Sequence, residues 1–174
     1  MYNFHSSLEN FHSNLWHHHI PVPDAIAVQL IEGDNRRVII TLNGSITWQA
    51  ALMKSESYWF VLINKENLTK LGAKEGTKIE VQLEKDRTEY GLPITDEMQT
   101  LMEQDEEGAA YFRQLTMGKQ RSLIYIAGQV KNTHSRLNRA LAIFHHLKEY
   151  NGRLDFKILN ETIKAYNQQN KLKK

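Results

Sequence analysis

The sequence has no cysteine, and this absence excludes two kinds of centre. Neither a disulfide nor a thiolate-ligated metal site can form. The chain needs neither, because 174 residues suffice to bury about 70% of the surface that the unfolded chain exposes. A chain without cysteine also fits a reducing compartment, so we expect a cytoplasmic protein.

Long apolar runs are also missing. The longest ones are far too short to cross a bilayer. The first residues, MYNFHSSLENFHSNLW, have neither the basic cluster nor the apolar core of a secretory signal. We therefore expect a soluble protein with no membrane partner, while the oligomeric state is left open.

The motifs of common catalytic sites are absent as well. The glycines occur singly, so there is no glycine-rich loop to cradle a phosphate. Covalent catalysis has neither a cysteine nor a nucleophile elbow to use. The acidic run from Glu103 to Glu107 contains carboxylates, but nothing in the pattern directs a pair of them into one pocket. We predict a binding protein rather than an enzyme, with no catalytic residue and no cofactor.

Charge is distributed unevenly along the chain, although the formal net charge is only +2. Residues 119–174 carry 12 Lys and Arg against 3 Asp and Glu, a formal charge of +9. The preceding 118 residues carry 10 against 17, a formal charge of −7. Such asymmetry is typical of a protein that binds an anionic partner. The alternative is that the two parts attract each other within one fold.

The first half of the chain shows the apolar alternation and turn signals of short strands. Asn43-Gly44 is a strong hairpin signal, because both central residues of a type I′ turn need a positive φ. Five or six strands with short connections predict a small β-barrel over residues 16–92, after an N-terminal leader at 1–15. The predicted strands cover residues 15–20, 37–42, 45–53, 58–63 and 77–83.

The period changes to 3.6 residues after Gly91-Leu92-Pro93. We predict successive helices with Thr95 or Asp96 capping the first, and with Asn132 or Thr133 capping the long helix that ends near Gly152. Residues 93–170 thus form a helical region, and the short connection predicts that it packs on the barrel. The fold class is α+β, a five- to six-stranded barrel followed by helices.

Three consecutive histidines, His17 to His19, raise the question of a metal site. In a strand, His17 and His19 point to one face and His18 to the other. The triplet therefore cannot close a metal site without ligands from elsewhere. Histidines whose hydrogen bonds are satisfied within the strand are the alternative, and we predict no metal.

The stretch from Lys119 to Arg139, KQRSLIYIAGQVKNTHSRLNR, is basic and has no acidic residue. Arg136 and Arg139 share a helical face, and Thr133 lies one turn earlier at the start of that helix. A helix N-terminus with adjacent cations favours anions. The predicted site binds a phosphate- or carboxylate-bearing ligand through Arg121, Tyr125, Lys131, Thr133, Arg136 and Arg139. The alternative is an arginine face that pairs with acidic barrel residues such as Glu80 and Glu84.

The order of these signals resembles known bacterial sequences. WHHHIPVP, RVIITLNG and FVLINKENLTKLGAKEGTKIEVQLEKD resemble a bacterial barrel domain of unknown function that occurs with the YdeI/OmpD-associated, or bacteriocin-protection, family. GKQRSLIYIAGQVKNTHSRLNRALAIFHHL resembles the C-terminal helical motif of that family, with Lys131-Asn132 in place of its usual lysine and small residue. The resemblance covers about Trp16 to Tyr150 and implies a barrel plus helices.

Two further functions stay open at this stage. LTKLGAKEGTKIEVQL resembles the strand–turn–strand signature of swapped-hairpin barrels, some of which bind DNA. A nucleic-acid-binding module would use the basic C-terminal part, although Tyr125, Phe144 and Tyr150 do not interleave with the cations as a stacking platform requires. A protein-interaction module would expose a flat apolar patch instead.

Overall fold

A computed structural model describes residues 1–13 and 17–171, with only the backbone at position 170. The chain divides into two compact units, Met1–Gly91 and Leu92–Lys174. The first holds two antiparallel sheets and two short helices, and the second is helical. The class is therefore α+β, as predicted. The packing of the helical region on the strands stays a prediction.

The described residues of the first unit contain eight strands and two short helices. In chain order these elements are β1 (Tyr2–Ser7), β2 (Glu9–Asn10), β3 (His18–Val22), α1 (Asp24–Leu30), β4 (Arg37–Leu42), β5 (Ile46–Ala51), β6 (Met53–Lys54), β7 (Trp59–Leu62), α2 (Lys65–Leu71) and β8 (Lys78–Lys85). The strands form two four-stranded sheets, ordered β1-β8-β4-β5 and β2-β3-β7-β6.

The predicted five- to six-stranded barrel is not formed. The eight described strands make two sheets, and the chain passes between them at two corners. Leu8 separates β1 from β2, and Leu52 separates β5 from β6. Neither residue belongs to a strand, although the Leu8 N–H donates to the Thr77 carbonyl and the Leu52 N–H donates to the Arg36 carbonyl. Both side chains are buried in the core between the sheets. The strand predicted at 45–53 is accordingly split.

The first residues, predicted as part of a leader at 1–15, form strands of both sheets. β1 pairs with β8 along its whole length, from Tyr2 opposite Leu83 to Ser7 opposite Lys78. Its weak apolar alternation hid this strand, since an edge strand buries only part of each side chain. The next strand was predicted to begin at Leu15-Trp16, which lie outside the described residues; the observed β3 begins at His18.

The hairpin signal at Asn43-Gly44 is confirmed. Asn43 and Gly44 have φ values of 47° and 64°, and they join β4 to β5 as a hairpin. The Asn64 side chain accepts a hydrogen bond from the Asn67 N–H and caps α2. Gly72 ends that helix with a φ of 61°, a conformation that glycine adopts without strain.

The described part of the second unit contains five helices, and four of them contact the longest one. Thr95 caps the first and Asn132 caps the fourth, which settles both capping alternatives. Phe112, Leu123, Ile143, Phe144 and Leu147 are fully or almost fully buried and form its apolar interior. The helices are α3 (Asp96–Gln104), α4 (Glu106–Gln114), α5 (Met117–Gly128), α6 (Thr133–Glu149) and α7 (Phe156–Lys171).

Candidate functional site

The predicted anion site lies where α5 ends and α6 begins. Leu123 and Ala127 on α5 are buried, which leaves Ser122 and Tyr125 on the exposed side of that helix. The Asn132 side chain accepts a hydrogen bond from the Ser135 N–H at 3.0 Å and so begins α6. This short turn brings the cations of the two helices into one region of the second unit.

Arg136 is engaged with a carboxylate of another helix. Its Nε lies 3.0 Å from Glu97 Oε2 and its Nη2 lies 2.9 Å from Glu97 Oε1, a two-point ion pair. The arginine side chain is 24% exposed and that of Glu97 is 11% exposed. The hydrogen bonds from Arg136 lower the pKa of Glu97, so this carboxylate is ionised at neutral pH.

The remaining arginine contacts involve the turn between the helices. Arg136 Nη1 donates to the Lys131 carbonyl at 2.6 Å, and Nη2 also donates to the Thr133 hydroxyl at 3.1 Å. Arg139 Nη1 donates to the Ile126 carbonyl at 2.8 Å. That carbonyl belongs to the last turn of α5, where backbone oxygens have no partner within the helix. Both arginines therefore hold the α5–α6 turn together.

The six predicted site residues thus fall into two groups. Lys131, Thr133 and Arg136 come together around one guanidinium, and Arg139 contacts the end of α5. Arg121 and Tyr125 lie one turn apart on α5, where Arg121 is half-buried and Tyr125 is 64% exposed. The Lys131 and Thr133 side chains are exposed at the start of α6.

Sequence reasoning missed Glu97 as the partner of Arg136. Glu97 lies 39 residues earlier, in the first turn of α3, and its sequence signal is only that of a helix start. The alternative to the anion site was an arginine face that pairs with acidic barrel residues such as Glu80 and Glu84. The observed carboxylate belongs to the helical unit instead. No local pattern links two residues at this separation, because only the packing of α3 on α6 brings them together.

The histidine triplet lies at the start of β3 in the first unit. His17 is exposed, His18 is half-buried and His19 is only 1% exposed. His19 Nε2 lies 2.8 Å from the Tyr58 hydroxyl and 3.6 Å from a Glu9 carboxylate oxygen. Burial lowers the pKa of His19, which favours its neutral form.

An aromatic ring covers the buried histidine. Phe11 stacks on His19 with 3.7 Å between ring centroids and an interplanar angle of 12°. Within residues 1–13 and 17–171, no group of three or more Cys, His, Asp or Glu side chains is arranged to hold a metal ion. His19 therefore belongs to a hydrogen-bonded aromatic cluster of the second sheet, together with Tyr58 and Glu9.

These features define an α+β protein with a two-sheet first unit and a helical second unit. Residues 4–83 match the family model described as Domain of unknown function (DUF1905). The match spans β1 through most of β8 and ends before the helical unit. A search of curated proteins found no match, and neither did a search of solved structures. Among the described helices, none is long and apolar enough to cross a membrane.

Proposed function

We propose that the protein is a binding module whose helical unit takes a phosphate- or carboxylate-bearing ligand at the start of α6. The arrangement of Lys131, Thr133 and Arg136 supports this proposal. Thr133 and the Lys131 carbonyl both contact the Arg136 guanidinium, so a fixed cation lies beside an exposed hydroxyl and an exposed lysine at a helix N-terminus.

Glu97 shows the type of anionic group that the Arg136 guanidinium binds. Its carboxylate already makes the two-point contact that a carboxylate or phosphate ligand would make. An external anion then competes with Glu97 or binds next to the pair through Lys131 and Thr133. Arg121 and Tyr125 extend the ligand surface along α5, and Arg139 keeps α5 and α6 in place.

Calorimetric titration of the full chain with inorganic phosphate tests this site. Lys131→Gln should weaken phosphate binding without changing the melting temperature, because the Lys131 side chain is exposed. Glu97→Gln should strengthen it by about tenfold, since removal of the competing carboxylate frees a charge-assisted contact. Lys157→Gln is the matched control for Lys131, because Lys157 is an exposed lysine of α7.

A second control separates binding from stability. Asp105 makes another partly buried ion pair in this unit, with Lys148 at 2.6 Å. Asp105→Asn keeps the cap of α4 and removes that pair, so it should leave phosphate affinity unchanged. If Glu97→Gln and Asp105→Asn both lower only the stability and phosphate binds neither variant, Arg136 serves the fold and the proposal fails.

The alternative function is a nucleic-acid-binding or protein-interaction module. The exposed face of α5 supports it, because Tyr125 lies there beside the exposed Lys119 and Ser122. Binding of single-stranded nucleic acid through this face would weaken steeply with added salt and would require Tyr125. A neutral protein partner would show little salt dependence.

Two broader assignments belong to the same proposal. The likeness of the helical unit to the YdeI/OmpD-associated, or bacteriocin-protection, motif rests on Arg121, Tyr125, Lys131, Thr133, Arg136 and Arg139. The cytoplasmic location rests on the absence of cysteine.

A further inference from the structure

The first unit contains a cavity of about 580 Å³ beside the end of β8. β1 pairs with β8 only as far as Leu83, so Glu84 and Lys85 continue beyond the end of β1. The Tyr2 hydroxyl donates to the Gln29 side-chain carbonyl and joins the start of β1 to α1. The space between these elements and β8 forms the cavity, and its volume lies within the range of small-ligand pockets.

Charged groups of both signs line this cavity. Lys85 and Arg87 provide two cations, while Glu32 and Glu84 provide two carboxylates. The charged side chains of the lining therefore cancel in number. A simple anion would meet two carboxylates and a simple cation would meet two basic groups, so a ligand of single charge is disfavoured. A ligand that carries one group of each sign satisfies both pairs.

The cationic side of the cavity is held in place by the backbone. Lys85 Nζ donates to the Leu30 carbonyl at 3.0 Å and to the Asn35 carbonyl at 2.7 Å. These contacts use two of its three N–H groups. Burial lowers the pKa of Lys85, and the nearby Glu32 carboxylate opposes this shift. The ammonium is thus fixed before a ligand arrives.

A second hydrogen-bonded group fixes the wall next to Arg87. Thr88 is held to the buried Asp86 carboxylate by its backbone N–H at 2.9 Å and by its hydroxyl at 2.6 Å. Burial alone would raise the pKa of Asp86, but hydrogen bonds from Thr88 and Gln49 outweigh this effect and lower the pKa. Asp86 therefore stays ionised and orients the segment that carries Arg87 and Thr88.

An ion pair that can exchange lines the cavity. Arg87 Nη2 lies 2.9 Å from Glu32 Oε1, and both side chains are more than half exposed. Exposed pairs of this kind contribute little to stability. A ligand carboxylate can replace Glu32 at Arg87, and the ligand ammonium can then pair with the released Glu32.

We propose that this cavity binds a small zwitterion with a free ammonium and a free carboxylate, such as an amino acid or short peptide. Lys85 and Arg87 bind the carboxylate, and Glu32 and Glu84 bind the ammonium. The site belongs to the first unit and does not depend on the anion site proposed for the helical unit.

An NMR titration of the ¹⁵N-labelled full chain tests the proposal with three probes. Alanyl-alanine carries both charges, N-acetyl-alanyl-alanine lacks the ammonium and alanyl-alaninamide lacks the carboxylate. We expect alanyl-alanine to shift the amide signals of Gln29, Glu32 and Arg87 to saturation. Each blocked probe should bind about tenfold more weakly or worse, because it leaves charged groups of the cavity unpaired.

Two substitutions in β8 test whether alanyl-alanine binds in the cavity. Glu84→Gln should weaken alanyl-alanine binding about tenfold. Glu80→Gln should leave it unchanged, because Glu80 is an exposed glutamate of the same strand that does not line the cavity. The proposal is overturned if alanyl-alanine gives no saturable shift, if N-acetyl-alanyl-alanine binds equally well, or if the two variants behave alike.

Discussion

His146 is the residue of the second unit whose charge depends most directly on burial. Its side chain is fully buried, and its Nε2 accepts a hydrogen bond from the Asp155 N–H at 3.2 Å. Burial lowers the pKa of His146 below 6.5, although Asp155 and Glu149 oppose the shift. The neutral ring thus joins the end of α6 to the residue that precedes α7.

The stability of the protein should fall as the pH is lowered below 6.5. Below pH 6.5 the unfolded chain binds a proton at His146 that the folded chain does not bind until a lower pH. The pKa of His19 is lowered in the same direction, so both histidines contribute. Each adds up to about 1.4 kcal/mol per pH unit to the slope of the unfolding free energy.

His146→Gln tests whether His146 contributes to the loss of stability at low pH, because glutamine is not protonated below pH 6.5. Urea unfolding at several pH values should show a shallower pH dependence than in the wild type, whatever the stability at neutral pH. His145→Gln is the matched control, since His145 is the exposed neighbour on the same helix. Equal slopes for wild type and His146→Gln would show that His146 does not carry this linkage.

At the residue scale, the sequence predicts the composition of the candidate site but not its contacts. It contains the cations and hydroxyls from Arg121 to Arg139, and Lys131, Thr133 and Arg136 do lie together. It could not reveal that Arg136 binds Glu97 or that Arg139 binds the Ile126 carbonyl. A side chain's partner depends on which helix packs opposite, and that information is not local.

At the scale of elements, the contact between α4 and α6 depends on one glycine. Gly108 is buried in the first turn of α4, directly against the Phe144 ring of α6. A Cβ atom at this position would lie well inside van der Waals contact with that ring. The two helices can approach this closely only because residue 108 has no side chain.

Gly108→Ala should therefore destabilise the protein by about 1–3 kcal/mol, through displacement of Phe144 or of α4. Urea unfolding measures the change. Gly118→Ala is the matched control, because Gly118 lies in the first turn of α5 and a Cβ atom added there would have no neighbour within 4 Å. It should be neutral or stabilise by up to about 1 kcal/mol. Similar results for both variants would show that α4 can move away from Phe144 at little cost.

Elements were predictable where the signal lies in a few neighbouring residues. β4 has the predicted bounds, Arg37–Leu42. On α6, the apolar residue Leu137 is 37% exposed, while Ala140 and Ile143 are buried. The 3.6-residue period defines a stripe, but the packing partners decide which edge of that stripe is covered.

At the scale of the whole molecule, the first unit contains a complete apolar core. The buried cluster runs from Leu8 to Leu83 and draws on both sheets and on α1. All of its members lie within Met1–Gly91. A chain of this length buries enough surface to fold alone.

Residues 1–91 expressed alone should therefore fold cooperatively. The NMR spectrum of this fragment should show dispersed amide signals, and signals from β4 and β8 should keep the chemical shifts that they have in the full chain. A fragment that lacks residues 1–8 should lose this dispersion, because it removes β1 and the core residue Leu8. A collapsed, poorly dispersed spectrum for residues 1–91 would show that the core needs the second unit.

The sequence by itself determined the class of the fold, the change from strands to helices near Gly91, most element positions and the basic character of the α5–α6 region. These features depend on periodicity, turn residues and composition, which act between near neighbours. Only the tertiary structure decided that the strands form two sheets with corners at Leu8 and Leu52. It also decided that Glu97 neutralises Arg136 and that a cavity opens beside β8. Each of these depends on contacts between residues far apart in the chain, which form only when the strands and helices of each unit pack.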